Sequence, residues 1–333
     1  MKKIILIGTG QMAQIYADLI CERNDAEICA VVGNSQKTVT NLSLKCKGQA
    51  FSDGDLAGAL VKFPEAEGII LATPEWVRGE YLALMASSKK KLLIEKPLVT
   101  NVTDLRFFLE NSNGSTENVS VVHSLRLSPR FSQAKLMQSQ GEIGELRHIY
   151  SRRNPSLKSV QRVLGKFPLV YWMACHDIDL MRWFAESEVE YVYVATRNKL
   201  QSADDYLLAH LHFKNGVDAI QEVSWCSPPV SSLAPTCLFH IKGTEGLLEI
   251  NDHETNVNIF KGDERVFAPD TYEHFPIGGN HYGIFHQVID TWLKTSNGAQ
   301  KEWLNYDNAR KSIEVCEAME RAIQTGGRVY LNA

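Results

Sequence analysis

Apolar residues at the start of the chain cluster without alternation. Ile4 to Ile7 form a continuous run that meets Gly8-Thr9-Gly10-Gln11-Met12-Ala13. A short unbroken run of this kind predicts a strand buried on both faces. Met12, Ile15, Tyr16, Leu19 and Ile20 then recur at the spacing of one helix face. Ile28 to Val32 predicts a second buried strand, Gly68 to Thr73 another that Pro74 ends, and Leu92 to Ile94 a further one. Tyr81, Leu82, Leu84 and Met85 predict the helix before the last of these. Strands alternating with helices imply parallel βαβ units, so residues 1–122 read as an α/β domain on a parallel sheet. The Lys89-Lys90-Lys91 run reads as a solvated helix end.

From residue 123 the pattern changes. Tyr191 to Thr196, Tyr206 to Phe213 and Val217 to Trp225 are β-rich runs, and Lys214-Asn215-Gly216 predicts a hairpin turn between the last two. Phe239 to Lys242 and Val257 to Lys261 predict further strands, and a helix from about Asn308 to Gln324 ends at Gly326-Gly327. Residues 123–333 therefore read as a second, α+β domain with a large, mostly antiparallel open sheet.

Composition narrows the partners. The chain has 333 residues with 35 basic and 39 acidic side chains, a net charge of -4, so no basic excess points to nucleic acid or an anionic membrane. Seven cysteines form no CxxC pair, which fits reduced thiols and a cytoplasmic location. Gly8, Gly10 and Gln11 interrupt the first apolar run too early for a signal peptide. No apolar run approaches the roughly 18 residues of a membrane span.

The glycine loop carries the first chemistry. In G-x-G-x-x-A, Gly8 permits a tight turn, Gly10 lets a pyrophosphate approach the backbone, and Ala13 is small where helix meets strand. The helix start at Gln11 and Met12 offers unpaired N–H groups, as does Thr9 in the loop. Placed at the first strand–helix junction of a βαβ chain, the motif predicts dinucleotide binding. The ribose-reading position, about 20 residues on, holds Gly33, Asn34, Ser35 and Lys37 and no carboxylate. Ser35 and Lys37 suit a 2′-phosphate, which favours NADP over NAD; Asn34 still suits a plain ribose.

Glu95-Lys96-Pro97 at a strand end, with the glycine loop and Ala72-Thr73-Pro74, resembles the Gfo/Idh/MocA family, the relatives of glucose–fructose oxidoreductase and inositol dehydrogenase. The likeness continues through Arg126-x-x-Pro129, Gly141-Glu142-Ile143-Gly144, His176-Asp177-Ile178-Asp179 and Gly243-Thr244-Glu245-Gly246. It implies a Rossmann domain followed by an open-sheet domain, a homodimer or homotetramer packed through that sheet, and NAD(P)-linked redox chemistry on a sugar, sugar derivative or cyclitol. It also implies cofactor contacts at Thr73, Pro74, Glu95 and Lys96.

The resemblance assigns acid–base catalysis to Lys96, a cis bond before Pro97, and a proton-relaying partner role to His176. Glu95 would orient the strand end or tune the lysine. Substrate contacts fall to Lys96, Arg126, Arg152, Trp172, His176 and Asp179, with Arg126 alternatively an inter-domain ion pair and Asp179 alternatively a helix-fixing residue. Arg152, Arg153 and Asn154, taken to follow a strand, could hold an anionic substrate group. The family's usual carboxylate and glycine before the histidine are here Trp172 and Ala174, and its usual histidine after Thr73-Pro74 is Arg78. Trp172, one turn before His176, would point into the same pocket and stack on a ring. Trp225 and His281 flank loops that would complete the pocket, whose variable parts are 154–170 and 226–236. The other histidines, His210 and His212 among them, show no metal-ligand spacing, so no metal is expected. Two other functions stay open: a non-catalytic dinucleotide-binding sensor, favoured by Trp172, and a redox-assisted glycoside hydrolase or lyase.

Overall fold

A computed structural model describes residues 1–155, 168–200, 203–225, 236–251, 258–261, 264–267, 276–277, 280–281, 283–295 and 304–331, and every structural count below is of those residues. The variable loops 154–170 and 226–236 fall largely outside them. The chain divides into two compact units, Met1–Ser124 with Thr271–Arg310, and Leu125–Asp270 with Lys311–Ala333.

The first unit is built on a parallel six-stranded sheet in the order β3-β2-β1-β4-β5-β6, where β1 is Lys2–Ile7, β2 Ala26–Val32, β3 Gln49–Phe51, β4 Gly68–Leu71, β5 Lys91–Glu95 and β6 Val119–Val122. The apolar runs of β1, β2, β4 and β5 are buried because helices cover both faces of such a sheet. Helix α1 (Gln11–Cys21) buries Ala13, Ile15, Tyr16, Ala17, Leu19 and Ile20. Helices α2 (Gln36–Cys46), α3 (Leu56–Lys62), α4 (Gly79–Ser87) and α5 (Val102–Asn111) complete the alternation. Asp55 and Asn101 cap α3 and α5 by accepting from the backbone N–H groups of Gly58 and Asp104.

The segment Thr271–Arg310, which the sequence assigns to the second domain, groups with the first unit. Within that unit, the helix Ile284–Lys294 sets Phe285 edge-on to Tyr16, with ring centroids 6.0 Å apart, and Trp292 against Gly68. Lys2 donates to the carbonyl of Leu293, and Lys91 to those of Trp292 and Thr295. Two ammonium groups at a helix C-terminus complement its partial negative charge. Of the lysine run only Lys89 is a solvated helix end. Lys90 is also engaged, donating to the carbonyls of Pro64 and Ala66, and burial brings Lys91 down to about 8.

The second unit has seven sheet strands, β7 (Leu146–Asn154), β8 (Val189–Leu200), β9 (Ala203–Phe213), β10 (Asp218–Ser224), β11 (Thr236–Gly243), β12 (Leu247–Asn251) and β13 (Val329–Tyr330). They lie in the order β12-β11-β7-β10-β9-β8-β13. Only the β7–β10 pair is parallel. Gly216 takes φ +85° in the turn between β9 and β10, as the Asn-Gly pair predicts. The two glycine turns quoted for the resemblance meet each other: a Cβ on Gly243 would lie 2.0 Å from the Ile143 carbonyl oxygen, and the Glu245 N–H donates to that oxygen over 3.0 Å.

One sheet face is apolar, with Ile149, Leu207, Leu211, Phe213 and Phe239 buried. Phe131, from the helix Pro129–Ser139, and Phe184, from the helix Cys175–Ala185, pack on Phe239 with centroids 5.5 and 5.8 Å apart. The other face leaves Tyr193, Leu208 and Ile220 between 43% and 45% exposed.

Helix Cys175–Ala185 runs into β8 through Glu188, whose carboxylate takes a two-pronged contact from Arg182 at 2.8 and 3.0 Å and a third from Lys311 at 2.8 Å. Burial opposes ionisation, but those two cations hold the carboxyl down at about 2. A lowered carboxyl stabilises the fold above its ordinary pKa of about 4.5 and loses that contribution as pH falls towards about 2. Glu188→Gln is therefore expected to cost about 1–2 kcal/mol at pH 7, discounted for the group's partial exposure. Denaturant unfolding across pH should show the gap closing between those limits; a gap independent of pH contradicts the assignment.

Candidate functional site

In the first unit the glycine loop leaves β1 beside the end of β4. Gly8 has φ +114°, and a Cβ there would sit 2.4 Å from the Ala72 carbonyl oxygen. No L side chain fits that space without moving the backbone. Gly10, at the start of α1, differs: a Cβ there meets nothing within 4 Å. Its missing side chain serves open space, where a ligand can come close to the backbone. The first turn of α1 holds no acid and Gly10 offers no capping side chain, so its N–H groups remain available to an anion. Thr73 lies beside this loop, its hydroxyl buried and without a hydrogen-bond partner among the described residues. An open cradle, free helix donors and an orphaned hydroxyl fit a dinucleotide. Gly8→Ala is expected to cost about 3 kcal/mol in denaturant unfolding. Gly10→Ala should cost under about 1 kcal/mol and act mainly on dinucleotide affinity. Equal stability loss in both contradicts this division.

At the ribose position Asn34 Oδ1 accepts from the Tyr81 hydroxyl over 3.2 Å, a partner that sequence spacing does not reveal. Ser35 starts α2, whose first turn also lacks an acid, and Asn34, Ser35 and Lys37 are exposed. Thr9 and Thr38 hydroxyls meet at 2.9 Å and tie the glycine loop to α2.

At the end of β5, Glu95 is buried, Lys96 is half-buried, and the Lys96–Pro97 bond is cis. The Tyr16 hydroxyl donates to Glu95 Oε1. Burial pushes the Glu95 carboxyl above its ordinary value, although the Tyr16 bond and the charges of Lys96 and Arg78 pull the other way. Arg78 is itself buried and donates to the carbonyls of Glu95 (2.6 Å), Pro97 and Thr73 (3.2 Å). It thereby fastens together the strand ends that carry Thr73 and Lys96. Two cavities of about 440 and 700 Å³ in this unit, lined by Lys2, Gly68 and Lys91 and by Cys21, Cys46 and Phe63, include neither Gly8 nor Lys96. Ligands of open parallel sheets bind beyond the carboxyl ends of the strands, where Gly8, Thr73 and Lys96 stand.

In the second unit a π-helical turn, Val170–Ala174, runs directly into the helix Cys175–Ala185. Such wide turns recur at functional sites. His176 is half-buried in the first turn of the helix. Trp172 is only 8% exposed, and its ring lies 5.8 Å from that of Trp225, tilted by 32°. The two tryptophans pack on each other, a contact that the residue spacing alone does not predict.

Asp179 and Arg126 are both buried and form a two-pronged ion pair, Nε–Oδ2 2.8 Å and Nη2–Oδ1 2.7 Å. The pair lies inside the second unit, so it is not an inter-domain bridge. Both Asp179 oxygens accept from Arg126, which ties the helix Cys175–Ala185 to Arg126. Arg152, Arg153 and Asn154 lie within β7 rather than after it. Alternation turns Arg153 towards the helix, where it holds Asp177 at 2.7 and 2.9 Å. Arg152 lies on the opposite face with Tyr150 and Asn154, both of which donate to Glu222. The structure therefore does not bring Arg152 to the face that carries the histidine helix. Trp225 is fully buried; His281 lies in the two-residue strand Asn280–His281, and its side chain is outside the described set.

Residues 2–123 match the family described as "Oxidoreductase family, NAD-binding Rossmann fold", and residues 131–249 match the "GFO/IDH/MocA C-terminal domain". An inositol 2-dehydrogenase of Rubrobacter xylanophilus is 25% identical over 58% of this chain and 55% of its own length. A glucose-6-phosphate 3-dehydrogenase of Bacillus subtilis is 22% identical over 78% of this chain and 77% of its own. The alignment thus spans about half of the first relative. The solved scyllo-inositol dehydrogenase of Lactobacillus casei, with bound NAD(H) and scyllo-inositol, superposes with a TM-score of 0.80 at 14% identity, covering 100% of this chain and 99% of that one. No helix among the described residues is long and apolar enough to cross a membrane.

Proposed function

The chain belongs to the Gfo/Idh/MocA oxidoreductase family, and from that membership we propose that it is an NAD(P)-dependent oxidoreductase acting on a CH–OH or C=O group of a sugar, sugar derivative or cyclitol. The observation that carries the reading is an open glycine cradle at the carboxyl end of β1 and a half-buried lysine at that of β5, on either side of β4 in one parallel sheet. Gly8, Thr9, Gly10, Gln11 and Met12 would hold the pyrophosphate, with Thr73, Pro74 and Glu95 beside it. When bound, the nicotinamide supplies the carbon that accepts or gives the hydride.

Lys96 Nζ takes the proton from the hydroxyl oxygen during oxidation and returns it to the carbonyl oxygen during reduction. Arg78 and the Tyr16–Glu95 bond hold the strand end, and hence Lys96, in place. To His176, on the helix Cys175–Ala185 of the second unit, we assign the proton-relaying partner role that the resemblance implies. Ser35, Lys37 and the acid-free start of α2 favour NADP over NAD, because no carboxylate repels a 2′-phosphate. The location we assign is cytoplasmic, supported by the scattered cysteines.

Assembly through the outer sheet face as a dimer or tetramer is supported by the exposed Tyr193, Leu208 and Ile220. Sedimentation at micromolar protein should give a multiple of the chain mass; a monomer contradicts it. The function itself is tested by titrating NADH and NADPH, then screening cyclitols, sugars, sugar phosphates and their keto forms for nicotinamide absorbance change. Turnover with one class supports the reading. Binding of dinucleotide with no turnover supports a sensor instead, and a Kd for NADH at least tenfold below that for NADPH overturns the cofactor preference.

A further inference from the structure

On the outer face of the seven-stranded sheet, away from the residues assigned to catalysis, His210 and His212 are two apart on β9, so their rings share one side of the sheet. Asp218 stands directly opposite His212 on β10, and Ile220 opposite His210. One carboxylate oxygen, Asp218 Oδ1, lies 2.7 Å from His210 Nε2 and 2.8 Å from His212 Nδ1. One ligating atom from each of the three residues falls within 4.8 Å of the others. We propose that His210, His212 and Asp218 form a binding site for a zinc-class divalent transition-metal ion.

The donor set decides the class of ion. Two imidazole nitrogens and one carboxylate suit zinc, copper or nickel, whereas calcium and magnesium need mostly oxygen. Bonds of about 2.0–2.2 Å to each ligand require only that the three side chains open slightly around a shared point. Three protein ligands leave a fourth position for water.

The surroundings prepare the rings. His212 Nε2, the nitrogen pointing away from Asp218, lies 3.8 Å from Glu190 Oε2. At that distance Glu190 makes no direct hydrogen bond, and its negative charge favours the tautomer that keeps the proton on Nε2 and leaves Nδ1 for metal. Tyr191 stacks on the His212 ring with centroids 4.8 Å apart and planes 19° apart, and the Arg328 guanidinium lies 4.9 Å from the Tyr191 ring. In the single chain the side chains of His210 and His212 are 29% and 26% exposed, on the same sheet face as Tyr193, Leu208 and Ile220, so an ion bound there would lie at the proposed assembly surface. Histidine spacing alone does not show this site, because the acid that completes it comes from the facing strand of the hairpin.

The test is a Zn²⁺ titration of the full chain in competition with a chromogenic chelator. The expected result is one tight Zn²⁺ per chain, with affinity falling at least about 100-fold in His210→Ala and in His212→Ala. Glu190→Gln keeps all three ligands and should weaken binding about tenfold; unchanged affinity there overturns its orienting role. Unfolding midpoints measured without metal establish that the variants fold. Wild-type protein that binds no Zn²⁺ below about 100 µM, or histidine variants that bind as tightly as wild type, overturn the site.

Discussion

Replacing Lys96 by alanine should lower kcat by about 10²–10⁴-fold while leaving dinucleotide affinity within a few-fold of wild type. The asymmetry follows from where the residue stands. The dinucleotide's largest binding contribution is assigned to backbone N–H groups of the glycine loop, which the change does not touch. In the proposed mechanism Lys96 is the first acceptor of the proton at the substrate oxygen, and an alanine there offers none. Lys96 is half-buried on a strand end that Arg78 ties down through the Glu95 and Pro97 carbonyls, so truncation should not release the loop. Steady-state kinetics with a parallel NADPH fluorescence titration read both quantities. Wild-type turnover in Lys96→Ala means that another group carries the proton. A parallel loss of dinucleotide binding means that Lys96 serves the cofactor alone.

The second large effect is on stability. Asp179→Ala should cost about 3–5 kcal/mol of unfolding free energy, because it leaves the Arg126 guanidinium buried without its carboxylate. The double variant Arg126→Met/Asp179→Leu should cost clearly less than the single change, since it removes both charges together. A carboxylate whose purpose were substrate contact would lower kcat/KM and leave stability almost intact. Denaturant midpoints and kcat/KM, measured on the same preparations, separate these outcomes.

The parallel sheet was legible because strands covered on both faces must be apolar throughout, and Ile4 to Ile7 or Ile28 to Val32 can hardly be anything else. The glycine loop was legible for a steric reason, since Gly8 sits where any Cβ would strike the Ala72 carbonyl. What escaped sequence reading depended on distant partners. Lys91 and Arg78 look like surface charges until the carbonyls that receive them are known. The helix Ile284–Lys294 shows its own amphipathic face, but nothing local says that Tyr16 and Gly68 lie beneath it. Arg152 and Arg153 differ by one residue, and strand alternation sends only the second to Asp177. Trp172 is placed by a π turn and by Trp225, neither of which helical spacing can anticipate.

The central claim is net hydride transfer between nicotinamide and a carbon of the substrate. It is tested most directly by running the reductive reaction with NADPH or NADH deuterated at the transferable position of the nicotinamide. The account predicts one deuterium per product molecule, on the carbon that gains the new hydroxyl, with one cofactor oxidised per turnover. Product that forms without net cofactor oxidation, or with the label left on the cofactor, would contradict it.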